Sequence, residues 1–432
     1  MIETKPMHRR RFLQWAGAAG MTALVVACDA GQPVVRDPST SLPEIPTGTP
    51  SATPSATRAG TPAGTPSGTP SATPTPDPQG GTFYSHLQSP VQPSATPTPT
   101  EGVPTATPTD TPTPTPPPTP FPPGPPTRLG LFVAWYHEQV MELIDTGNVA
   151  VLKTLEFDPT FLAEVKARSP QTLIVGRVTL GQMNLANVDP AAEARRAADA
   201  VLALARDEAR RGLVDAWEGF NEPVPGDVDQ MRRLAELEVE RVRLLAQDGQ
   251  RAVVGNFGTG QPPLEWWPAF RPALEAAARH GGYLGLHEYS APTIWYNTNV
   301  PPLTFHANAG DEGWLTLRYR KVYRQFIQPW GLDLPLVIGE CGVDGLVQNR
   351  PGPPGHGWKD FGGHWAELGM GVDSAGNYVE QLAWYDRELQ LDSYVAGAAI
   401  FAMTAFEEWE SYQIQGEAAD ILHQYISVHP AG

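Results

Sequence analysis

Short apolar runs alternate with longer segments of helical period throughout residues 128–432. The apolar runs are LGLFVAW, VAVLKTL, TLIVGRVTL, VDAWEGFNEP, RAVVGNFGTG, YLGLHEYS, LPLVIGECG and VAGAAIFAMTA. Near-continuous apolar runs of this length are typical of parallel strands that helices cover. Eight strand–helix pairs in succession predict an α/β fold, a (β/α)8 TIM barrel. An open, doubly wound sheet is the alternative, but no glycine-rich phosphate loop follows the first strand.

The part of the chain before this pattern has a different composition. Residues 28–127 are dominated by Pro, Thr, Ser and Gly, in repeats such as SATP, GTP and TPTPTP. Too few apolar side chains are present to offset the entropy lost on ordering, so we expect a disordered, proline-stiffened linker. The folded domain is therefore expected to span residues 128–432.

The first 27 residues have the layout of an export signal. Arg9–Arg11 precede a short apolar stretch, and small residues then lead up to Cys28. The arginines followed by Phe-Leu resemble a twin-arginine signal, and VVAC resembles a bacterial lipobox, whose cysteine is acylated. The apolar stretch is shorter than the ~20 residues that span a bilayer. We expect residues 1–27 to be a signal peptide and the exported protein to be anchored to the membrane at the cell surface through Cys28; an incidental cysteine is the alternative.

Charge and cysteine content exclude several classes of partner. The formal net charge is −17, and loss of residues 1–27 would make it −20. Phosphate binding needs a basic face, so nucleic acid is not expected as a partner. The only cysteines are Cys28 and Cys341. A disulfide between them is not expected, and two cysteines are too few for a Cys-rich zinc site. The chain is expected to be a monomer.

Chemistry in a TIM barrel takes place where the strands end, at their carboxyl side. The polar and aromatic side chains at the predicted strand ends are Trp135, His137, Lys153, Glu156, Arg177, Gln182, Asn221, Glu222, Asn256, His287, Glu288, Tyr289, Glu340, Thr404, Glu407, Glu408 and Trp409. No His-x-His pair follows the first strand, which disfavours a metal-dependent hydrolase, and neither a metal nor another cofactor is expected. Glu218 and Glu288 are interpreted as solvated or ion-paired side chains.

Two glutamates at these ends form a candidate catalytic pair. Glu222 ends the fourth predicted strand and Glu340 the seventh, so the two would face each other across the mouth of the barrel. Cleavage of a glycosidic bond with retention needs two carboxyl groups about 5–5.5 Å apart. One donates a proton to the leaving oxygen and the other attacks the anomeric carbon, so their environments must differ.

Three segments around this pair resemble one group of enzymes. Asn221-Glu222-Pro223, VIGECG around Glu340 and the HEYS segment resemble the retaining TIM-barrel glycoside hydrolases with catalytic glutamates on strands 4 and 7, the cellulase-, mannanase- and xylosidase-like superfamily. The resemblance covers about residues 128–426. It implies cleavage of a β-linked oligo- or polysaccharide, with Glu222 as the acid/base and Glu340 as the nucleophile.

The resemblance also implies roles for polar neighbours of the pair. Asn221 would bind the sugar 2-hydroxyl, His287 would lie beside the acid/base and Tyr289 near the nucleophile. The superfamily commonly has an arginine near the nucleophile on its second strand. The candidate here, Arg177, follows the third predicted strand instead.

Aromatic side chains are the remaining candidates for substrate binding. The superfamily has a tryptophan at the floor of the cleft after strand 8, for which Trp409 is the candidate, and Trp135 ends the first predicted strand. Sugar rings stack on such side chains. A non-catalytic, cell-surface carbohydrate-binding barrel is the alternative function; it would keep the aromatic residues but would have no need of both glutamates.

Overall fold

Eight parallel strands close into a barrel within residues 121–296, 298 and 311–431, the part of the chain that the computed structural model describes. Each strand pairs with its neighbour in sequence, and the last pairs with the first. The strands are β1 (Leu129–Val133), β2 (Val151–Thr154), β3 (Leu173–Gly176), β4 (Ala216–Glu218), β5 (Ala252–Phe257), β6 (Tyr283–Ser290), β7 (Leu336–Val343) and β8 (Val395–Thr404). The predicted (β/α)8 TIM barrel is confirmed.

A helix follows every strand, and one extra helix lies between β7 and β8. The helices are α1 (Glu138–Ile144), α2 (Pro159–Arg168), α3 (Pro190–Ala205), α4 (Val228–Gln247), α5 (Trp267–Arg279), α6 (Tyr319–Val322, continued by a π-helical turn), α7 (Gly362–Glu367), α8 (Ser374–Gln390) and α9 (Glu417–Ser427). Asp158 and Asp189 each precede a proline and accept backbone N–H bonds from the first helical turn. Aspartate at the cap and proline at the first helical position favour a helix start, so these helices begin where the sequence dictates.

Side chains of successive strand residues point alternately into the barrel and towards the helices. The outward set packs against the helices as the larger apolar core. The inward set forms a second apolar cluster inside the barrel, which includes Phe132, Val151, Val175, Ala216, Val253, Tyr283, Val337, Ala399 and Phe401. In the part of the chain that the structure describes, side chains thus fill the barrel interior, and a ligand is expected at the mouth, where the strands end.

The chain enters the barrel from the face opposite the mouth. The Phe121 ring packs edge-on against Tyr425 at 5.2 Å, and the Thr127 N–H donates to the carbonyl of His429 at 3.3 Å.

The predicted signal peptide, Cys28 and the predicted linker up to residue 120 lie outside the described residues and stay predictions. None of the described helices combines the length and the apolar character needed to cross a bilayer.

Glu288 on β6 faces away from the barrel interior and is fully buried. Its carboxyl group accepts hydrogen bonds from the backbone N–H groups of Leu317 and Tyr319, both at 2.8 Å, and from the Tyr385 hydroxyl at 2.7 Å. Burial raises the pKa of this carboxyl to about 7, although these hydrogen bonds act in the other direction. Glu288 therefore fixes the point at which the segment after β6 returns to the barrel.

Candidate active site

Glu340 lies on β7 with its side chain turned into the barrel, where it is almost fully buried. Lys153 Nζ and Arg177 Nη1 both donate to Glu340 Oε1, each at 3.1 Å. The Tyr289 hydroxyl donates to Glu340 Oε2 at 2.8 Å. Donors from β2, β3 and β6 thus hold both carboxylate oxygens.

These contacts determine the charge of Glu340. Burial by itself would raise the pKa of this carboxyl. The electrostatic interaction with His287, the positive charges of Lys153 and Arg177 and the hydrogen bond from Tyr289 outweigh burial and bring the pKa down to about 2. Glu340 is therefore an ionised carboxylate at neutral pH, as a nucleophile must be.

Glu222 follows β4 and has a backbone conformation that is uncommon for a side chain of its kind. Its φ is 43°, and its N–H donates to the carbonyl of Asn256 at 3.0 Å. Non-glycine residues with positive φ are rare and concentrate at functional sites, where the surrounding structure holds them. The Glu222 side chain is 15% exposed, against 4% for that of Glu340. Glu222 is thus the carboxyl group nearer to solvent.

His287 on β6 lies between the two glutamates. Its Nδ1 is 2.8 Å from Glu222 Oε1 and 3.5 Å from Glu340 Oε2. A carboxylate oxygen of each glutamate and a ring nitrogen of His287 all lie within 4.8 Å of one another. The strand ends thus bring together the two carboxyl groups that the sequence singled out.

The same three side chains are the described residues that could supply ligands to a cation. Their surroundings do not suit one. Lys153 and Arg177 already neutralise Glu340, and Lys153 Nζ is also 3.4 Å from His287 Nε2. A divalent cation here would lie close to the buried ammonium group of Lys153 and the half-buried guanidinium group of Arg177, which would repel it. The expectation of a metal-independent site stays a prediction.

Comparison with known proteins gives distant similarities only. No protein-family model and no curated protein matches the chain. It is similar to the structure of a GH128 (subgroup II) endo-β-1,3-glucanase from Sorangium cellulosum, with 16% identity and a TM-score of 0.40, over 71% of this chain and 100% of that one. It is also similar to a β-glucuronidase from Bifidobacterium dentium, with 14% identity and a TM-score of 0.44, over 70% of this chain and 46% of that one. The function must therefore be argued from the site itself.

Arg177 and Asn221 lie where the sequence places them and contact each other. Arg177 directly follows β3, and its Nη1 donates to the side-chain oxygen of Asn221 as well as to Glu340. The guanidinium group lies 5.6 Å from the centroid of the Phe132 ring. Arg177 thereby links the residue before Glu222 to the Glu340 carboxylate, although it comes from the third strand and not from the second.

The two predicted tryptophans differ in how much ring they leave free. Trp135 follows β1, is 36% exposed and packs edge-on against Phe406. Trp409 lies in a short 3-10 helix after β8, is 8% exposed and packs against Phe401 and Tyr412. Trp135 therefore has the larger surface available for stacking, and a substrate-binding role for either ring stays a prediction.

Lys153 and Glu218 also belong to the site, although the sequence places Lys153 only among the strand-end side chains and predicts for Glu218 only a solvated or ion-paired side chain. Lys153 Nζ is 2.9 Å from Glu218 Oε2, and neither side chain is exposed to solvent. The sequence does contain a sign of their role, because each charged residue interrupts an apolar strand: Lys153 in VAVLKTL and Glu218 in VDAWEG. A charge inside a barrel strand needs a buried partner. The sequence alone does not say which partner that is.

Proposed function

We propose that this barrel is a retaining glycoside hydrolase for a β-linked oligo- or polysaccharide, with Glu222 as the acid/base and Glu340 as the nucleophile. The observation that carries the proposal is the pair of carboxyl groups at the mouth, with an oxygen of one within 4.8 Å of an oxygen of the other. Retaining enzymes hold these groups about 5–5.5 Å apart, and inverting enzymes about 6.5–9.5 Å apart. The short separation supports a double displacement.

In the first step, the protonated Glu222 carboxyl donates its proton to the glycosidic oxygen while the bond from that oxygen to the anomeric carbon breaks. The Glu340 carboxylate forms a new bond to the same carbon, and the leaving sugar departs as an alcohol. Lys153 and Arg177 support this step because they keep Glu340 ionised until it attacks. The product is a glycosyl ester of Glu340.

In the second step, Glu222 acts as a base. Its carboxylate takes a proton from a water molecule as the water oxygen attacks the anomeric carbon and the bond to Glu340 breaks. Two inversions give net retention, and both glutamates return to their starting forms. Asn221 accepts from Arg177 through its side-chain oxygen, which leaves its amide nitrogen to donate to a hydroxyl of the sugar.

The test is a screen of aryl β-glycosides and β-linked glucans, mannans and xylans, with the first-formed anomer followed by proton NMR. We expect turnover with the β-anomer appearing first. Appearance of the α-anomer first would show inversion and remove the nucleophile role from Glu340. Saturable binding of a glycan without turnover of any substrate would favour the carbohydrate-binding barrel instead.

We also propose that the protein is exported and held at the cell surface by a lipid on Cys28, with residues 28–127 as the tether. The support is the lipobox-like VVAC and the composition of the linker. In a bacterial host, wild-type protein should sediment with membranes and enter the detergent phase, whereas Cys28→Ser should remain in the aqueous phase. Cys341→Ser, which changes a buried cysteine of the barrel, is the control and should behave like wild type. Equal partitioning of wild type and Cys28→Ser would contradict lipidation.

A further inference from the structure

One layer of side chains inside the barrel is charged where such layers are normally apolar. Lys153, Glu218 and His287 come from β2, β4 and β6. In a TIM barrel, alternate strands contribute the side chains of one layer, and bulky apolar residues usually fill it. Val151 and Ala216, two residues earlier on β2 and β4, belong to the apolar cluster inside the barrel. The charged layer therefore lies one layer nearer the mouth than Val151 and Ala216.

Lys153 connects the members of this layer to the catalytic pair. Its ammonium nitrogen lies 2.9 Å from Glu218 Oε2, 3.1 Å from Glu340 Oε1 and 3.4 Å from His287 Nε2. Of these contacts, the one to Glu340 is a hydrogen bond donated by the ammonium group, and the one to Glu218 is an ion pair. Among the described residues the Glu218 carboxyl has no hydrogen-bond partner, and its ion pair is with Lys153.

The backbone next to Glu340 leaves room for Glu218. A Cβ atom on Gly339 would lie 2.5 Å from Glu218 Oε1 and 3.3 Å from Lys153 Nζ. At such a distance one of the two atoms must move, so any other residue before Glu340 would displace the Glu218 carboxyl group from this position. Glu218 thus packs directly beneath the peptide that carries Glu340.

Stability alone does not account for this layer. A buried ion pair is often no better for folding than apolar residues of the same volume. We propose that Glu218 is a positioning residue that acts through Lys153: it holds the ammonium group beneath Glu340 and so keeps that carboxylate in place for attack. This inference rests on the proposed function. Arg177, Tyr289, His287 and Glu222 also face Glu340, but Glu218 reaches it through Lys153.

The test is a double-mutant cycle with Glu218→Gln, Lys153→Met and the double variant, on the best aryl glycoside. A residue that acts only through another has no effect once the other is gone. We expect Glu218→Gln to lower kcat about 100-fold in the wild-type background, with KM nearly unchanged, because a displacement of about 1 Å at the reacting atom costs that much. In the Lys153→Met background it should change kcat by less than about 3-fold.

The matched control is Glu238→Gln. Glu238 is an equally buried glutamate, 2.7 Å from Arg241 Nη2, but it lies on α4 outside the barrel. This variant should lower the free energy of unfolding and leave the kcat of the folded enzyme unchanged. An equal loss from Glu218→Gln in both backgrounds, or unchanged kcat in the wild-type background, would overturn the inference.

A second readout does not depend on turnover. The method is NMR of protein labelled with carbon-13 at the glutamate carboxyl groups, in which the Glu340 resonance is identified by its loss in Glu340→Gln. Lys153→Met should raise the pKa of Glu340 by about one unit or more, because it removes a cation within 4 Å. Glu218→Gln should move the Glu340 resonance when Lys153 is present and leave it in place in the Lys153→Met background. If Glu218→Gln leaves the Glu340 resonance unchanged when Lys153 is present, the inference is overturned, even in a protein without glycosidase activity. If the resonances behave as expected but no substrate is hydrolysed, only the proposed function is overturned.

Discussion

Glu340→Gln is expected to lower kcat by about 10⁴-fold or more on every substrate, because loss of a catalytic nucleophile costs rates of this order. The amide that replaces the carboxylate carries no charge and does not form the glycosyl ester. It also gives Lys153 and Arg177 no ionised partner at their shared contact. The measurement is single-turnover and steady-state hydrolysis of an activated aryl β-glycoside, with folding checked by circular dichroism.

A chemical rescue separates the loss of the nucleophile from a loss of fold. In Glu340→Gly, added azide or formate should restore turnover, because the small anion occupies the space of the missing carboxylate and attacks the anomeric carbon itself. The azide product should have the inverted, α configuration, since only one displacement takes place. Glu340→Gln with wild-type turnover would reject the nucleophile assignment.

Glu222→Ala is expected to have an effect that depends on the leaving group. General acid catalysis contributes about 10²–10⁴-fold when the leaving oxygen needs a proton, so hydrolysis of an oligosaccharide should fall by that factor. A dinitrophenyl glycoside leaves without protonation, and formation of its glycosyl ester should be nearly as fast as in wild type. The measurement is kcat/KM for a series of aryl glycosides, plotted against the acidity of the phenol.

The second step provides the control for this variant. Without Glu222 no base activates water, so the glycosyl ester should accumulate, and its mass should be found on the peptide that contains Glu340. Azide needs no base, and it should release a β-glycosyl azide, with retained configuration. An equal loss for all leaving groups would argue against Glu222 as the proton donor.

The fold could be predicted because each strand carries its own signal. The segment YLGLHEYS coincides with β6, and VAGAAIFAMTA with β8 apart from its last residue. Buried parallel strands are almost continuously apolar, and α2 and α3 begin at aspartate–proline pairs that a reader of the sequence can recognise. Eight repeats of such a unit leave few other architectures.

The site could be predicted only where a residue lies at a strand end. Glu222, His287, Tyr289 and Glu340 do so, and the barrel fold alone brings such ends together. Lys153 also lies next to the end of β2, but its contact with Glu340 depends on how far a long side chain reaches across the interior. Spacing along the chain contains no information on that reach.

Arg177 is a second residue whose contact with Glu340 its position in the sequence does not predict. It follows β3, yet its guanidinium group contacts Glu340 on β7. A side chain of this length can serve a neighbouring site from more than one strand, so strand number does not fix its role. The burial of Trp409 likewise depends on the short helix after β8, whose packing against Phe401 has no signal in the sequence.

The alternation along β6 has a consequence for engineering the protein. His287 and Tyr289 contact the carboxyl groups of Glu222 and Glu340, while Glu288, between them, anchors Leu317 and Tyr319 on the other side of the sheet. The chemistry and the attachment of the following segment are therefore separate on one strand. Under the proposed function, sequences grafted between Ser290 and Leu317 would keep the anchor at Leu317 and Tyr319, so libraries that vary this stretch would test its effect on glycan preference.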